Sequence, residues 1–221
     1  MAVNLIRTYL AEGLEKLHLK LDDDKTDKVL SYFRILVDKN EKLNLISAKQ
    51  DLKTRVIVHL VDSLSILLWK DCPSQAEAMD LGSGGGLPAI PLGIVFPGWN
   101  YTLVESTGKK TVFLNKVKKT LNLNNLSIVN KFLEPGKNIE NICYDLLTVR
   151  AVAGLSKLID ILGPRLNSGG YLVAFKGPQV DDEIKEAVRL LNKYNLSLDD
   201  EIDFVLPDIN AQRRIVIFKK Q

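Results

Sequence analysis

Two acids and four glycines are the residues whose types and spacing most directly suggest chemistry. Asp80 ends a short apolar run, and Gly82, Gly84, Gly85 and Gly86 follow it, with Ser83 among them and Pro88 just beyond. Glycine admits positive φ and leaves no Cβ in the way of a ligand. Proline suits the first turn of a helix, where its missing N–H costs nothing. The stretch from Met79 to Pro88 therefore reads as strand, tight turn and helix start. The helix runs from about Pro88 to Val95 and aims its first N–H groups at a bound group. Glu105 lies twenty-three residues after Gly82, where an acid closing the next strand accepts from both hydroxyls of a ribose. Such a carboxylate works by bidentate hydrogen bonding, not by proton transfer. Taken singly, the loop also reads as a bare turn and Glu105 as a capping or surface acid. Taken together they describe a nucleoside site.

Spacing narrows the nucleoside. A dinucleotide turn has the form Gly-x-Gly-x-x-Gly, and counted from Gly82 its third glycine falls on Leu87. The observed Gly82-x-Gly84-x-Gly86 after Asp80 instead resembles the nucleoside-binding loop of class I S-adenosylmethionine (SAM) methyltransferases. No lysine follows to make a phosphate-binding P-loop.

Further candidates lie downstream. Arg150 and Lys176 end the fourth and fifth strands, on the rim where a substrate arrives, or form surface ion pairs there. His59 touches substrate or ties a helical cap to the core; His18 falls on a helix surface. Between Ser106 and Glu140 stand seven lysines and two acids, a local excess of five positive charges. Lys109, Lys110, Lys116, Lys118 and Lys119 cluster on one helix. Such a run is usually a solvated face, but Lys109 and Lys110 begin it beside the expected pocket, placed to meet RNA phosphates.

The elements that must hold these residues follow from periodicity. Leu5, Ile6, Tyr9, Leu10, Leu14 and Leu17 space a helix from about Val3 to Leu17. Asp22, Asp23 and Asp24 offer caps to a second, with Val29, Leu30, Phe33, Leu36 and Val37 on its inner face, ending near Lys42. One or two more helices span Asp51 to Trp69. From about residue 76 strands alternate with helices: Ala78 to Leu81, Tyr101 to Glu105, Leu126 to Val129, Tyr144 to Val149 and Tyr171 to Phe175. Between them lie helices from Thr107 to Leu121, with Val112, Phe113, Val117 and Leu121 on one face, from Leu155 to Leu166, and then from Asp181 to Tyr194. Two last strands, near Leu198 to Leu206 and Arg213 to Phe218, join without a helix and suggest an antiparallel edge. This predicts an α/β protein: residues 1–75 a helical cap, residues 76–221 a Rossmann-like, seven-stranded, mostly parallel sheet.

Composition agrees. A chain of 221 residues makes one large domain, or one with an extension, and 46% hydrophobic residues supply its core. A net charge of +3 permits a nucleic-acid partner without demanding one. Cys72 and Cys143 have neither metal nor disulfide spacing, so both read as buried thiols of a cytoplasmic protein with no metal. Arg7, Glu12 and Glu15 interrupt the apolar start, which is no signal peptide. The longest uncharged stretch, Leu81 to Val104, is broken by glycines and prolines and is no membrane span.

Several motifs in order now point to one family. Asn44-Leu45-Ile46-Ser47, His59-x-x-Asp62-Ser63-Leu64 and Asp80-Leu81-Gly82-Ser83-Gly84-Gly85-Gly86-Leu87-Pro88 resemble the ribosomal small-subunit RNA guanine-N7 methyltransferases, the glucose-inhibited division protein B family. Ser106-x-x-Lys109-Lys110-x-x-Phe113-Leu114, Arg150-Ala151 and Lys176-Gly177 continue the likeness, which runs from about Leu43 to Lys176. It implies a cytoplasmic enzyme that moves a methyl group from SAM to N7 of a guanine in 16S rRNA. It also implies cofactor contacts at Gly82, Leu87, the backbone of Leu133 and Glu134, and Arg150. Gly84, Gly86 and Glu105 join that set from their own spacing. Val58 stands where the family usually has arginine, Ala89 where it often has glycine, and Val149 where serine is common. The expected partner is 16S rRNA, a 30S subunit or an assembly intermediate, met by a monomer.

The residues fit that chemistry. Guanine N7 carries a lone pair in the major-groove edge and needs no base, only placement. Proximity and orientation are worth about 7–11 kcal/mol. The stretch Asp145 to Gly154 reads DLLTVRAVAG, with no Asn-Pro-Pro-Tyr for adenine amino methylation. Neither cysteine lies in a motif for covalent attack on a pyrimidine. The rival readings are an NAD-dependent oxidoreductase, disfavoured by Leu87, and a non-catalytic SAM- or RNA-binding module.

Overall fold

A computed structural model describes residues 2–47, 49–136, 142–150 and 152–221. Ala151 and Glu140, named above, lie outside them, as does Lys137, one of the seven lysines counted after Ser106. The helical cap opens with α1 (Ala2–Lys16) and α2 (Asp23–Leu43). The Asp22 carboxylate accepts from the Lys25 amide at 2.8 Å, capping α2, and Asp23 and Asp24 sit in its first turn, where negative charge favours the helix dipole. Ile6, Leu10, Leu14 and Leu17 from the first helix, and Val29, Leu30, Phe33 and Leu36 from the second, are buried as their spacing demands.

Residues 52–68 wind as one helix with a changing pitch. An α turn, α3 (Leu52–Arg55), capped by Asp51, passes into a π segment, Val56–Val61. Then α4 (Asp62–Leu64) and a 3₁₀ turn, Ser65–Leu68, complete it. Widening a helix to π pitch re-aims successive side chains, a device common at functional sites. Here it turns Val56, Ile57, His59, Leu60 and Val61 inward together.

Seven strands among the described residues form one sheet, β1 (Ala76–Leu81), β2 (Trp99–Glu105), β3 (Leu126–Asn130), β4 (Tyr144–Arg150), β5 (Leu166–Lys176), β6 (Leu196–Leu206) and β7 (Ala211–Lys220), in the order β3-β2-β1-β4-β5-β7-β6. The first five run parallel; β7 is antiparallel to both β5 and β6. The antiparallel strand thus lies inside the sheet, and β6 forms the edge. Helices α5 (Ala89–Val95), α6 (Gly108–Thr120), α7 (Leu155–Leu162) and α8 (Val180–Lys193) connect the strands. The order reverses between β1 and its neighbours β2 and β4, which opens a crevice at the carboxyl ends of those strands.

Alternation along the strands sorts the core into two layers. Ala78, Tyr101, Leu103, Leu146 and Val173 face α5, α6 and the cap, in one cluster that includes Leu10, Phe33 and Leu36. Met79, Val104, Leu147, Leu172 and Val216 face α7 and α8. Some expectations change. Val112 is 71% exposed, and the inward face of α6 is Thr111, Phe113, Leu114 and Val117, one residue round from the expected stripe. Cys143 is exposed rather than buried, whereas burial pushes the Cys72 thiol up to about 12. His18 sits in a turn after α1 with φ of 56°. No helix among the described residues is long and apolar enough to cross a membrane.

Candidate active site

The glycine loop, which follows β1, is tied to the end of the neighbouring strand β2. The amides of Gly82 and Ser83 donate to the Val104 carbonyl at 2.8 and 3.2 Å, and those of Gly86 and Leu87 to the Ser83 carbonyl at 2.6 and 3.2 Å. The helix start therefore differs from expectation. α5 begins at Ala89, and the amides of Gly82, Ser83, Gly86 and Leu87 before it are committed to backbone carbonyls instead of aimed at a ligand. What the loop offers is approach. Gly84, with φ of 56°, would place a Cβ no nearer than 3.8 Å to any atom outside its immediate neighbours, so its front is open.

The four glycines face different ways. Gly82 is exposed, and a Cβ there would sit 2.7 Å from Cγ2 of Val152. Gly85 faces the cap: its carbonyl accepts from the Tyr32 hydroxyl at 2.8 Å, and a Cβ would press on Leu36 and Leu45 at 3.0 and 3.2 Å. Asn40 holds Leu45 in place by clamping the next residue, donating to the Ile46 carbonyl and accepting from the Ile46 amide, each at 2.8 Å. Gly86, with φ of 91°, backs onto Ile90 and Leu114, and Leu87 is buried in the core.

Glu105 meets the loop directly. Its Oε2 accepts from the Gly84 amide at 2.8 Å and its Oε1 from the Thr107 amide at 2.7 Å. Burial pushes this carboxyl up, but the two amides and the nearby Lys110 charge outweigh it and hold the group below its ordinary value. An ionised carboxylate so fixed keeps lone pairs on both oxygens for a pair of hydroxyls.

Beside it opens a cavity of about 170 Å³, lined by Gly82, Ser106, Phe132, Leu133, Val152 and Ile161 among others. The structure thus brings together Gly82, Gly84, Glu105 and Leu133, with Glu134 adjacent in the loop after β3.

A second cavity, about 330 Å³, lies at the ends of β4 and β5 and is lined by Val58, Asp62, Arg150, Phe175, Lys176, Gly177 and Arg213. Arg150 donates to Asp62 Oδ2 at 3.0 Å, the Val58 carbonyl at 3.3 Å and the Ser63 hydroxyl at 3.4 Å. Arg213 reaches Asp62 Oδ1 at 3.3 Å. Burial pushes the Asp62 carboxyl above its ordinary value, and the two arginines pull it back only partway. Lys176 donates to Glu183 at 2.6 Å and to the Ala153 carbonyl at 3.0 Å. Arg150 and Lys176 thus share one cavity wall. Val58, where the resembled family usually carries arginine, lines that cavity, and its carbonyl accepts from Arg150.

Sequence reasoning passed over Asp62, Tyr32, Phe132 and Arg213. Asp62 stood in a quoted motif without a role, and the others carry no local signal. His59 is buried, and both ring nitrogens lack a hydrogen-bond partner among the described residues. Burial first, then the charges of Arg150 and Arg55, lower it to about 4. It neither lines the cavity nor ties the cap by a hydrogen bond. Lys109 is exposed and Lys110 half-buried on the first turn of α6. Deeper in, Asp80 is fully buried, its Oδ1 accepting from the Thr148 hydroxyl at 2.7 Å, which lies 2.5 Å from that of Tyr101.

Comparison with known proteins agrees with this geometry. Residues 25–204 match the family model described as rRNA small subunit methyltransferase G. A protein of that name from Lysinibacillus sphaericus is 36% identical over 95% of this chain and 88% of its own. Another from Carboxydothermus hydrogenoformans is 32% identical over 97% and 90%. Among solved structures, Aeropyrum pernix fibrillarin with natively bound SAM superposes with a TM-score of 0.56 at 14% identity, covering 70% of this chain and 73% of that one. An O-methyltransferase of Brevibacillus brevis in complex with S-adenosylhomocysteine gives 0.55 at 18% identity, covering 72% and 71%. At such identities the structures speak to the fold, which is that of class I SAM-dependent methyltransferases.

Proposed function

The chain belongs to the rRNA small subunit methyltransferase G family, a SAM-dependent rRNA methyltransferase, and from that premise we propose that it methylates N7 of a guanine in 16S rRNA. One observation carries the reading at the level of residues. A fixed carboxylate beside an open glycine adjoins an apolar cavity through Ser106, and a second, cationic cavity lies at the ends of β4 and β5.

The residues suit SAM. Glu105 offers two acceptor oxygens for the ribose hydroxyls, Gly84 leaves room for close approach, and Gly82, Ser106 and Leu133 border the apolar cavity. Arg150 offers its charge to the cofactor's carboxylate or to a phosphate. When bound, SAM supplies a methyl group on a positively charged sulfur.

The acceptor side then has to position rather than deprotonate. Asp62 has both oxygens engaged by arginines. His59, lowered to about 4, is neutral and out of the cavity. Guanine N7 asks for no base, so the cavity of Arg150, Lys176 and Arg213 serves by fixing the RNA for in-line transfer. Lys109 and Lys110 extend the cationic surface toward further phosphates. The substrate is 16S rRNA, free or within a 30S particle, bound by a monomeric cytoplasmic enzyme that uses no metal.

Incubation of the protein with labelled SAM and 16S rRNA, followed by nucleoside mass spectrometry, tests this. The expected product is 7-methylguanosine. A methyl group on N1, N2 or a ribose oxygen would overturn the proposed atom and its mechanism.

A further inference from the structure

Phe132 is the exposed aromatic side chain among the described residues, with 68% of its surface open. It stands two residues past the end of β3, on the edge of the 170 Å³ cavity beside Gly82. Val152, which lines the same cavity, is also left to solvent at 43%. A large ring kept in water at the rim of a preformed apolar slot is a feature that a ligand completes.

Resting on the SAM reading above, we propose that Phe132 forms a wall of the slot that takes the cofactor's adenine, gripping the base by its flat face. The chain geometry limits what enters there. Glu105 is anchored to Gly84, so a ribose held by its carboxylate lies over the loop. The next residue, Ser106, lines the cavity, so the base attached to that ribose has this slot beside it. Its walls include Leu81, Val104, Leu133, Val152 and Ile161, with Ser106, Lys131 and Lys157 the polar residues among them. A slot so apolar recognises a planar ring by contact and stacking more than by its hydrogen-bonding edge. Gly82 is part of the same construction: the Val152 side chain occupies the room its Cβ would need. The ring borders the cavity that also contains Gly82 of the glycine loop, which argues for the cofactor over an RNA base as its partner.

Calorimetric binding of SAM, S-adenosylhomocysteine and 5′-methylthioadenosine to wild type and Phe132→Ala tests the assignment. The ring is exposed, so the variant keeps the wild-type unfolding midpoint. Its affinity for all three should fall by about 5- to 150-fold, the span seen when a base-stacking aromatic is cut to alanine. The loss should be equal for methylthioadenosine, which carries base and ribose without the amino acid. Phe132→Trp should retain wild-type affinity, and RNA affinity should not change. Equal SAM binding by wild type and Phe132→Ala overturns the role of the ring and leaves the SAM reading standing. Loss of RNA affinity with SAM affinity kept assigns the ring to the RNA and likewise overturns it. Failure of the wild type to bind SAM overturns the reading and this inference together.

Discussion

Replacing Asp80 with asparagine should change how stability depends on pH, by an amount set by its surroundings. The carboxyl lies fully inside the fold, one hydrogen bond from Thr148 and with Oδ2 unpartnered among the described residues. Burial drives it from 3.8 to about 7, and the hydroxyls of Ser83 and Thr148 with the charge of Arg150 offset that only in part. The folded chain therefore holds this proton where the unfolded chain has released it. Its contribution to stability is fully present below pH 3.8 and is lost as pH rises toward 7. At about 1.4 kcal/mol per pH unit, the full loss above pH 7 is somewhat more than about 4 kcal/mol, and between pH 5 and pH 8 it is roughly 2–3 kcal/mol. Asparagine keeps an acceptor for Thr148 and has no proton to release. Urea unfolding of both proteins at pH 5 and pH 8 measures the difference directly. The variant should gain on wild type by roughly 2–3 kcal/mol across that interval, while His59 and Asp62 titrate alike in both and cancel. Parallel stability curves would show that the carboxyl ionises in its usual range, and the argument from burial would fall.

Other perturbations address the site. Gly84→Val puts a branched side chain at φ of 56° on the open front of the loop and should abolish SAM binding; calorimetry finding unchanged affinity would remove the loop from the site. Tyr32→Phe leaves the buried Gly85 carbonyl without its donor, so stability should fall by about 1–3 kcal/mol with SAM affinity falling alongside it. A SAM affinity equal to wild type would mean that the cap does not hold the loop. Lys109→Ala should weaken RNA binding and lower its log–log salt slope by roughly one, leaving SAM affinity unchanged. The single change is preferable to a double one because Lys110 also acts on the Glu105 carboxyl. An unaltered slope would return Lys109 to a solvated face.

The parts of the fold that were legible in the sequence are those that local chemistry dictates. Glycines at 82, 84 and 86 require a turn after Leu81, and each takes positive φ; an acid one strand later meets that turn because parallel strands end level, Leu81 beside Val104. Helix faces were readable to within a residue. Val112 misled because a stripe on so lysine-rich a helix is fixed by what packs on it, and Phe113 with Leu114 won that contact. The π segment had no signature, since a run such as Val56–Val61 suits any buried helix.

What stayed hidden were polar groups paired across long separations. Asp62 and Arg150 are 88 residues apart and Tyr32 and Gly85 are 53 apart, and in sequence such residues look no different from surface ones. Their partners emerge only when the cap closes on the strand ends. That closure also explains why the cap is built as it is. Three acceptors hold Arg150 at the end of β4, and all of them, Asp62, Val58 and Ser63, come from the helix of changing pitch. Val58 and Asp62 stand four residues apart, close enough along one helix to reach the same guanidinium. The cationic wall of Arg150, Lys176 and Arg213 thus depends on the cap as much as on the sheet, just as the glycine loop contacts Tyr32 and Leu45. A methyl transfer that needs placement and no base asks for this kind of construction, in which elements remote in sequence hold the reacting surfaces still.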